Sequence, residues 1–101
     1  MPELPVMCTL GPAALRARRE GLLKNLLTRA AEHHKTADGY RIRFAAGSEI
    51  LPAVAGAVDA ERECCRFLRF HITVEPDGGP VLLDLTGPAG TADFIAALLQ
   101  S

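Results

Sequence analysis

The hydrophobic and polar positions along the chain follow two periods, one typical of helices and one typical of strands. Apolar side chains recur every three or four positions from Ala13 to His34, which predicts a first helix. A second series of this kind runs from Ile50 to Leu68, with Ser48 placed to cap the helix that it predicts. A last short amphipathic segment after Thr91 completes a set of three predicted helices.

The remaining segments have the pattern of strands. Val6–Leu10 is a short apolar run, and Tyr40–Phe44 alternates between apolar and basic side chains, as a strand with one wet face does. His71–Glu75 and Val81–Leu85 flank Pro76–Pro80, whose prolines and glycines favour a hairpin turn. The predicted element order is therefore β-α-β-α-β-β-α.

This order predicts an α+β fold, a two-layer sandwich with a four-stranded mixed sheet and its helices on one face, because crossover connections are right-handed. It resembles the two-layer sandwich of small sulfur-carrier proteins and of the C-terminal domain of a bacterial translation initiation factor. The sulfur carriers have a Cys-Pro-x-Pro motif at the start of their first helix. Here the cysteine of Cys8-Thr-Leu-Gly-Pro12 lies in the predicted strand, so the resemblance implies a fold and not sulfur transfer.

Composition narrows the classes of function. The 101 residues form one expected domain, 1–101, and a net charge of −1 gives no reason to expect nucleic acid as a partner. No apolar stretch approaches the ~18 residues of a membrane span, and the N-terminus lacks the pattern of a signal peptide. We therefore expect a cytoplasmic protein with no membrane partner. Its three cysteines, an odd number, are expected to be reduced thiols.

One cluster indicates specific chemistry. Glu61 precedes Cys64 by three positions and Cys65 by four, so its carboxylate can reach either thiol on a helix. Cys8 lies in the predicted first strand and His71 begins a later strand, and both are candidates for further ligands. Thiolates prefer soft ions, so the cluster predicts a site for a thiophilic metal ion or metalloid such as mercury, copper(I), arsenic or zinc.

Helix geometry restricts this interpretation and leaves alternatives open. Adjacent helical positions differ by ~100° around the axis, so Cys64 and Cys65 cannot form a symmetric chelate on a regular helix. Free cysteines are often buried packing residues, which favours instead an interaction or regulatory module. A small thiol-redox protein that uses Cys8 with one of the pair is the third hypothesis.

No pattern of paired carboxylates or of a serine-histidine-aspartate triad points to an enzyme, so a non-enzymatic protein is expected. Phe67 and Phe70 are candidate exposed contact points for a homodimer or a protein partner. His33 and His34 are expected at the end of the first helix, where histidine interacts favourably with the helix dipole.

The C-terminal part of the chain also carries a composite motif. Its segments are Glu61-x-x-Cys-Cys-x-Phe-x-x-Phe70, Glu75-Pro-x-x-Gly-Pro80 and Leu85-Thr-Gly-Pro-x-Gly-Thr91. The motif resembles a family of short bacterial proteins without an established activity, and this resemblance implies no catalytic residues. The adjacent cysteines alone are similar to those of mercury transport proteins and arsenic metallochaperones. That similarity implies a class of ligand only.

Overall fold

The computed structural model of the chain describes residues 25–47 and 49–100, apart from the side chains of Cys64 and Gln100. Residues 25–27 are helical. Six further elements follow in chain order: β1 (Glu32–Lys35), β2 (Gly39–Phe44), α1 (Ile50–Cys64), β3 (Arg69–Val74), β4 (Val81–Thr86) and α2 (Thr91–Gln100). The predicted strand Val6–Leu10 and most of the predicted first helix lie outside the described residues.

The four described strands form one sheet in the order β1-β2-β4-β3, and every neighbouring pair is antiparallel. The prediction of a mixed sheet is wrong for these strands, for a topological reason. Helix α1 connects β2 to β3, and these two strands run in the same direction. The hairpin after β3 returns the chain as β4, which lies between them, so the parallel strands never pair.

Strand β1 replaces the predicted end of the first helix. The chain turns after residue 27, the amide of Ala31 donates to the carbonyl of Arg43, and β1 pairs with β2 along its whole length. The expectation that His33 and His34 end a helix is therefore wrong. Glu32–Lys35 contains no apolar residue, so only the apolar period of the preceding residues predicted a helix here. In the structure, hydrogen bonding to β2 determines the conformation of this segment.

The core lies between the sheet and its two described helices. Val81, Leu83 and Leu85 of β4 are buried, and their cross-strand neighbours on β2 include Ile42 and Phe44. Helix α1 packs against β4, whereas α2 packs against β2. Buried helical side chains belong to the same cluster, so both helices cover the face on which Leu83 lies. The described residues thus form a small α+β fold of two layers.

Two smaller features complete the fold. Helix α1 begins after Glu49, which provides no side-chain cap, and the predicted cap Ser48 lies outside the described residues. Gly39 begins β2 where a Cβ atom would overlap the carbonyl of Leu85, so this close approach of two strands requires glycine. No helix within the described residues is long and apolar enough to cross a bilayer.

Candidate functional site

The adjacent cysteines lie on either side of the point where α1 ends. Cys64 is the last helical residue, and Cys65 has left the helix, with φ −101° and ψ 70°. The amide of Cys65 still donates to the carbonyl of Glu61 at 2.6 Å, and the carbonyl of Cys65 accepts from Leu68 at 3.0 Å. Cys65 is therefore the first residue beyond the helix, while its amide keeps the last helical hydrogen bond.

Glu61 and Cys65, two members of the predicted cluster, are in contact in the structure. Both side chains are 0% exposed, and the thiol of Cys65 donates to Oε2 of Glu61 at 3.5 Å. Removing a carboxyl group from water is costly unless polar contacts compensate for the lost hydration. The chain therefore keeps a titratable group and a thiol together where packing alone would favour two apolar residues.

The burial of this pair follows from the spacing of α1. Its inward stripe contains Ile50 and Val54, and continues at intervals of three or four to Glu61 and Cys65. Arg62, one position beyond Glu61, is exposed and forms an ion pair with Asp59 at 3.1 Å on the opposite side. Position on the stripe, and not a local distortion, thus explains why the carboxyl group faces the core.

The segment after the cysteines is fixed by an aromatic contact. The rings of Phe67 and Phe94 meet edge to face, with centroids 5.1 Å apart, so the chain beyond α1 is held against α2. Phe67 is only 6% exposed and Phe70 is partly buried. The expectation that these phenylalanines are exposed contact points is wrong, because both side chains pack against the core.

His71 lies on the other face of the sheet. Its neighbours Phe70 and Ile72 pack against the core, so the alternation of β3 places His71 on the face away from the helices. There it pairs in register with Asp84, whose carboxylate binds Arg41. The sheet therefore separates His71 from Glu61 and Cys65, and the structure does not bring this predicted ligand to the thiol.

A charged row across this open face was not recognised from the sequence. Arg41 donates from Nε and Nη2 to the two carboxylate oxygens of Asp84, at 2.8 and 3.3 Å. The hydrogen bond and the negative charge of Asp84 raise the pKa of Arg41. The sequence feature that could have indicated this ion pair is the aspartate in the otherwise apolar segment of β4. Its partner can be identified only from the register between β2 and β4.

Of the five predicted ligands, the structure thus brings together Glu61 and Cys65. Cys8 lies outside the described residues, and the side chain of Cys64 is not described. Within residues 25–47 and 49–100, no three histidine, cysteine, aspartate or glutamate side chains are grouped so as to hold a metal ion. No protein-family model, curated protein or solved structure gave a significant match to the chain.

Proposed function

We propose that the chain binds a thiophilic metal ion or metalloid at the end of α1. Cys65 and Cys64 supply thiolates, Cys8 supplies a third, and Glu61 acts as an additional ligand or as the acceptor of a thiol proton. The observation that carries this proposal is the contact of a fully buried carboxyl group with a fully buried thiol, at 3.5 Å.

The chemistry of the pair suits such a site. A metal binds the thiolate and not the thiol, so binding requires that a proton leave Cys65. Oε2 of Glu61 is the acceptor of the S–H hydrogen bond, and it is thus placed to take that proton. Copper(I), zinc, mercury and arsenic match sulfur ligands better than hard cations do.

The end of the helix supports a site with more than one sulfur. Cys64 adjoins Cys65, and consecutive Cα atoms are only ~3.8 Å apart, so the second thiol originates close to the first. Cys65 is the first residue beyond the helix, with φ −101° and ψ 70°, so the backbone that carries its thiol is not helical. Metal–sulfur bonds are only ~2.3 Å long, so the proposal requires both thiols to approach the same ion.

A second candidate is an interaction or regulatory module whose cysteines are packing residues. It is favoured by the position of Cys65 within the hydrophobic core cluster, where a free cysteine can act as a small apolar side chain. The hydrogen bond to Glu61 then has a structural role. This candidate differs from the first in one measurable property, because a packing thiol reacts only when the protein unfolds.

Anaerobic titration of the reduced protein tests the proposal. We expect a stoichiometric complex with at least one of mercury(II), arsenic(III), copper(I) and zinc(II), seen by thiolate-to-metal absorbance and by native mass. Native and unfolded samples are also treated with a thiol reagent. Thiols that react only after unfolding, together with no complex for any of the four ions, would establish the packing role instead.

Replacing Glu61 with glutamine separates its role from that of the thiols. Glutamine has nearly the same shape and keeps an acceptor oxygen for the thiol, so we expect the fold to be retained. It cannot take a proton and is a poorer ligand, and losing such a group typically lowers metal affinity ~10–100-fold. The measurement is the dissociation constant of the complex found in the titration.

The matched control is Glu63→Gln, which makes the same change of charge at an exposed position of the same helix. We expect its affinity to equal that of the unmodified chain. Equal affinities for Glu61→Gln and Glu63→Gln would show that Glu61 has no part in binding.

A further inference from the structure

The two edges of the sheet have opposite character. β1 consists of Glu32–Lys35, a polar strand whose four residues are all exposed, and charged residues such as Glu32 and Lys35 at a sheet edge discourage pairing with other chains. β3 contains Phe70, Ile72, Thr73 and Val74, residue types that favour strand pairing. Among the described strands, only β4 pairs with β3, so no described strand covers the outer edge of β3.

Within the described residues, apolar side chains are exposed beside this edge. Val81 on β4 is 3% exposed, whereas its cross-strand neighbour Val74 on β3 is 55% exposed. Leu51 of α1 is 38% exposed and lines the same open cleft, of about 530 Å³, as Val74. These are the two large hydrophobic side chains that are most exposed among the described residues, and no other described residue covers them.

We propose that a second copy of the chain pairs with β3, antiparallel, about a twofold axis at Ile72. The two sheets then form one continuous sheet of eight strands. When two antiparallel strands are related by a twofold axis perpendicular to the sheet, the core-facing sides of both sheets lie on the same side. Each core-facing residue of one β3 therefore lies opposite a core-facing residue of the other β3. Ile72 lies opposite the partner's Ile72, and Phe70 lies opposite the partner's Val74, which covers the exposed valine.

Charge complementarity selects this register. The same pairing places Arg69 opposite the partner's Glu75, and it does so twice because the dimer is symmetric. Shifting the axis to Phe70 would place Arg69 opposite the partner's His71 and would shorten the paired segment. Within one chain, Arg69 and Glu75 are at opposite ends of the strand, ~20 Å apart, so they cannot form this ion pair in the monomer.

Sedimentation of the full, reduced chain over a range of concentrations tests the dimer. We expect the unmodified chain to dimerise, and Arg69→Glu or Glu75→Arg alone to weaken the dimer about tenfold or more, because each places like charges across two symmetric contacts. The double variant R69E/E75R restores both opposite-charge pairs, so its dimerisation should return to that of the unmodified chain. A chain that stays monomeric at every concentration overturns the proposal.

Mixing the two single variants gives a second, independent result. A heterodimer of R69E with E75R has opposite charges at both contacts, so the mixture should associate more strongly than either variant alone.

A dimer that is insensitive to both charge reversals and to Val74→Lys would use another surface and would also overturn the proposal. Circular dichroism of each variant verifies that the fold is retained, since Arg69 and Val74 are exposed in the monomer.

Discussion

The double variant Cys64→Ser/Cys65→Ser is expected to lose the soft-metal complex and to keep its fold. Serine is nearly isosteric with cysteine, and its hydroxyl at position 65 can still donate to Oε2 of Glu61, where the thiol donates now. The cost to stability should be about 1–2 kcal/mol, that of an altered buried hydrogen bond. A hydroxyl is not a soft ligand, so the loss of affinity should exceed the ~100-fold that losing an outer-shell group causes.

Titration of the variant with mercury(II) and arsenic(III) under reducing conditions measures this loss, and its urea unfolding curve measures the fold. Cys8→Ser is the comparison variant, because it makes the same chemical change at the third proposed thiol, which belongs to a different segment of the sequence. Two thiolates remain in that variant, so its affinity should fall less than that of the double variant. Binding of the double variant with the affinity of the unmodified chain would contradict a site at the end of α1.

The regular elements could be predicted wherever the apolar period was complete. The stripe of α1 predicted a helix that the structure gives as Ile50–Cys64, and the hairpin signal between Val74 and Val81 was confirmed. The alternation at Tyr40–Phe44 likewise predicted β2 to within one residue. Most of the side chains that set these periods are buried or half-buried, whereas Val74 and Leu51 are exposed.

Pairing between strands distant in sequence could not be predicted in the same way. β1 has no apolar residue to mark its period, and its conformation depends on the ladder with β2. The place of β4 between β2 and β3 is likewise a property of the sheet as a whole. The face of His71 could have been inferred, since Ile72 and Val74 are apolar, so alternation puts the histidine on the opposite side.

The candidate site, too, could be predicted from local spacing but not from contacts between residues distant in sequence. An interval of four on a helix predicted that Glu61 can reach Cys65, and the structure contains that contact. The sequence did not predict that the helix ends between Cys64 and Cys65, because residues 65–70 continue the amphipathic pattern. Just beyond that end, Phe67 packs against Phe94, which is 27 positions away in the chain, and local periodicity cannot reveal such a contact.

Replacing Phe44 with alanine is expected to be the most destabilising single change among these variants. Its side chain is 0% exposed beneath the helices, and removing a buried phenylalanine typically costs about 3–5 kcal/mol through lost burial and the cavity left behind. A domain of this length has roughly 5–15 kcal/mol in total, so this change would remove a large share of the free energy of unfolding. The matched control is Val74→Ala, since both residues are cross-strand neighbours of Val81 but Val74 is 55% exposed. Urea unfolding at low protein concentration should show a loss below about 1 kcal/mol for the control, and similar losses for both variants would contradict a core centred on β2 and β4.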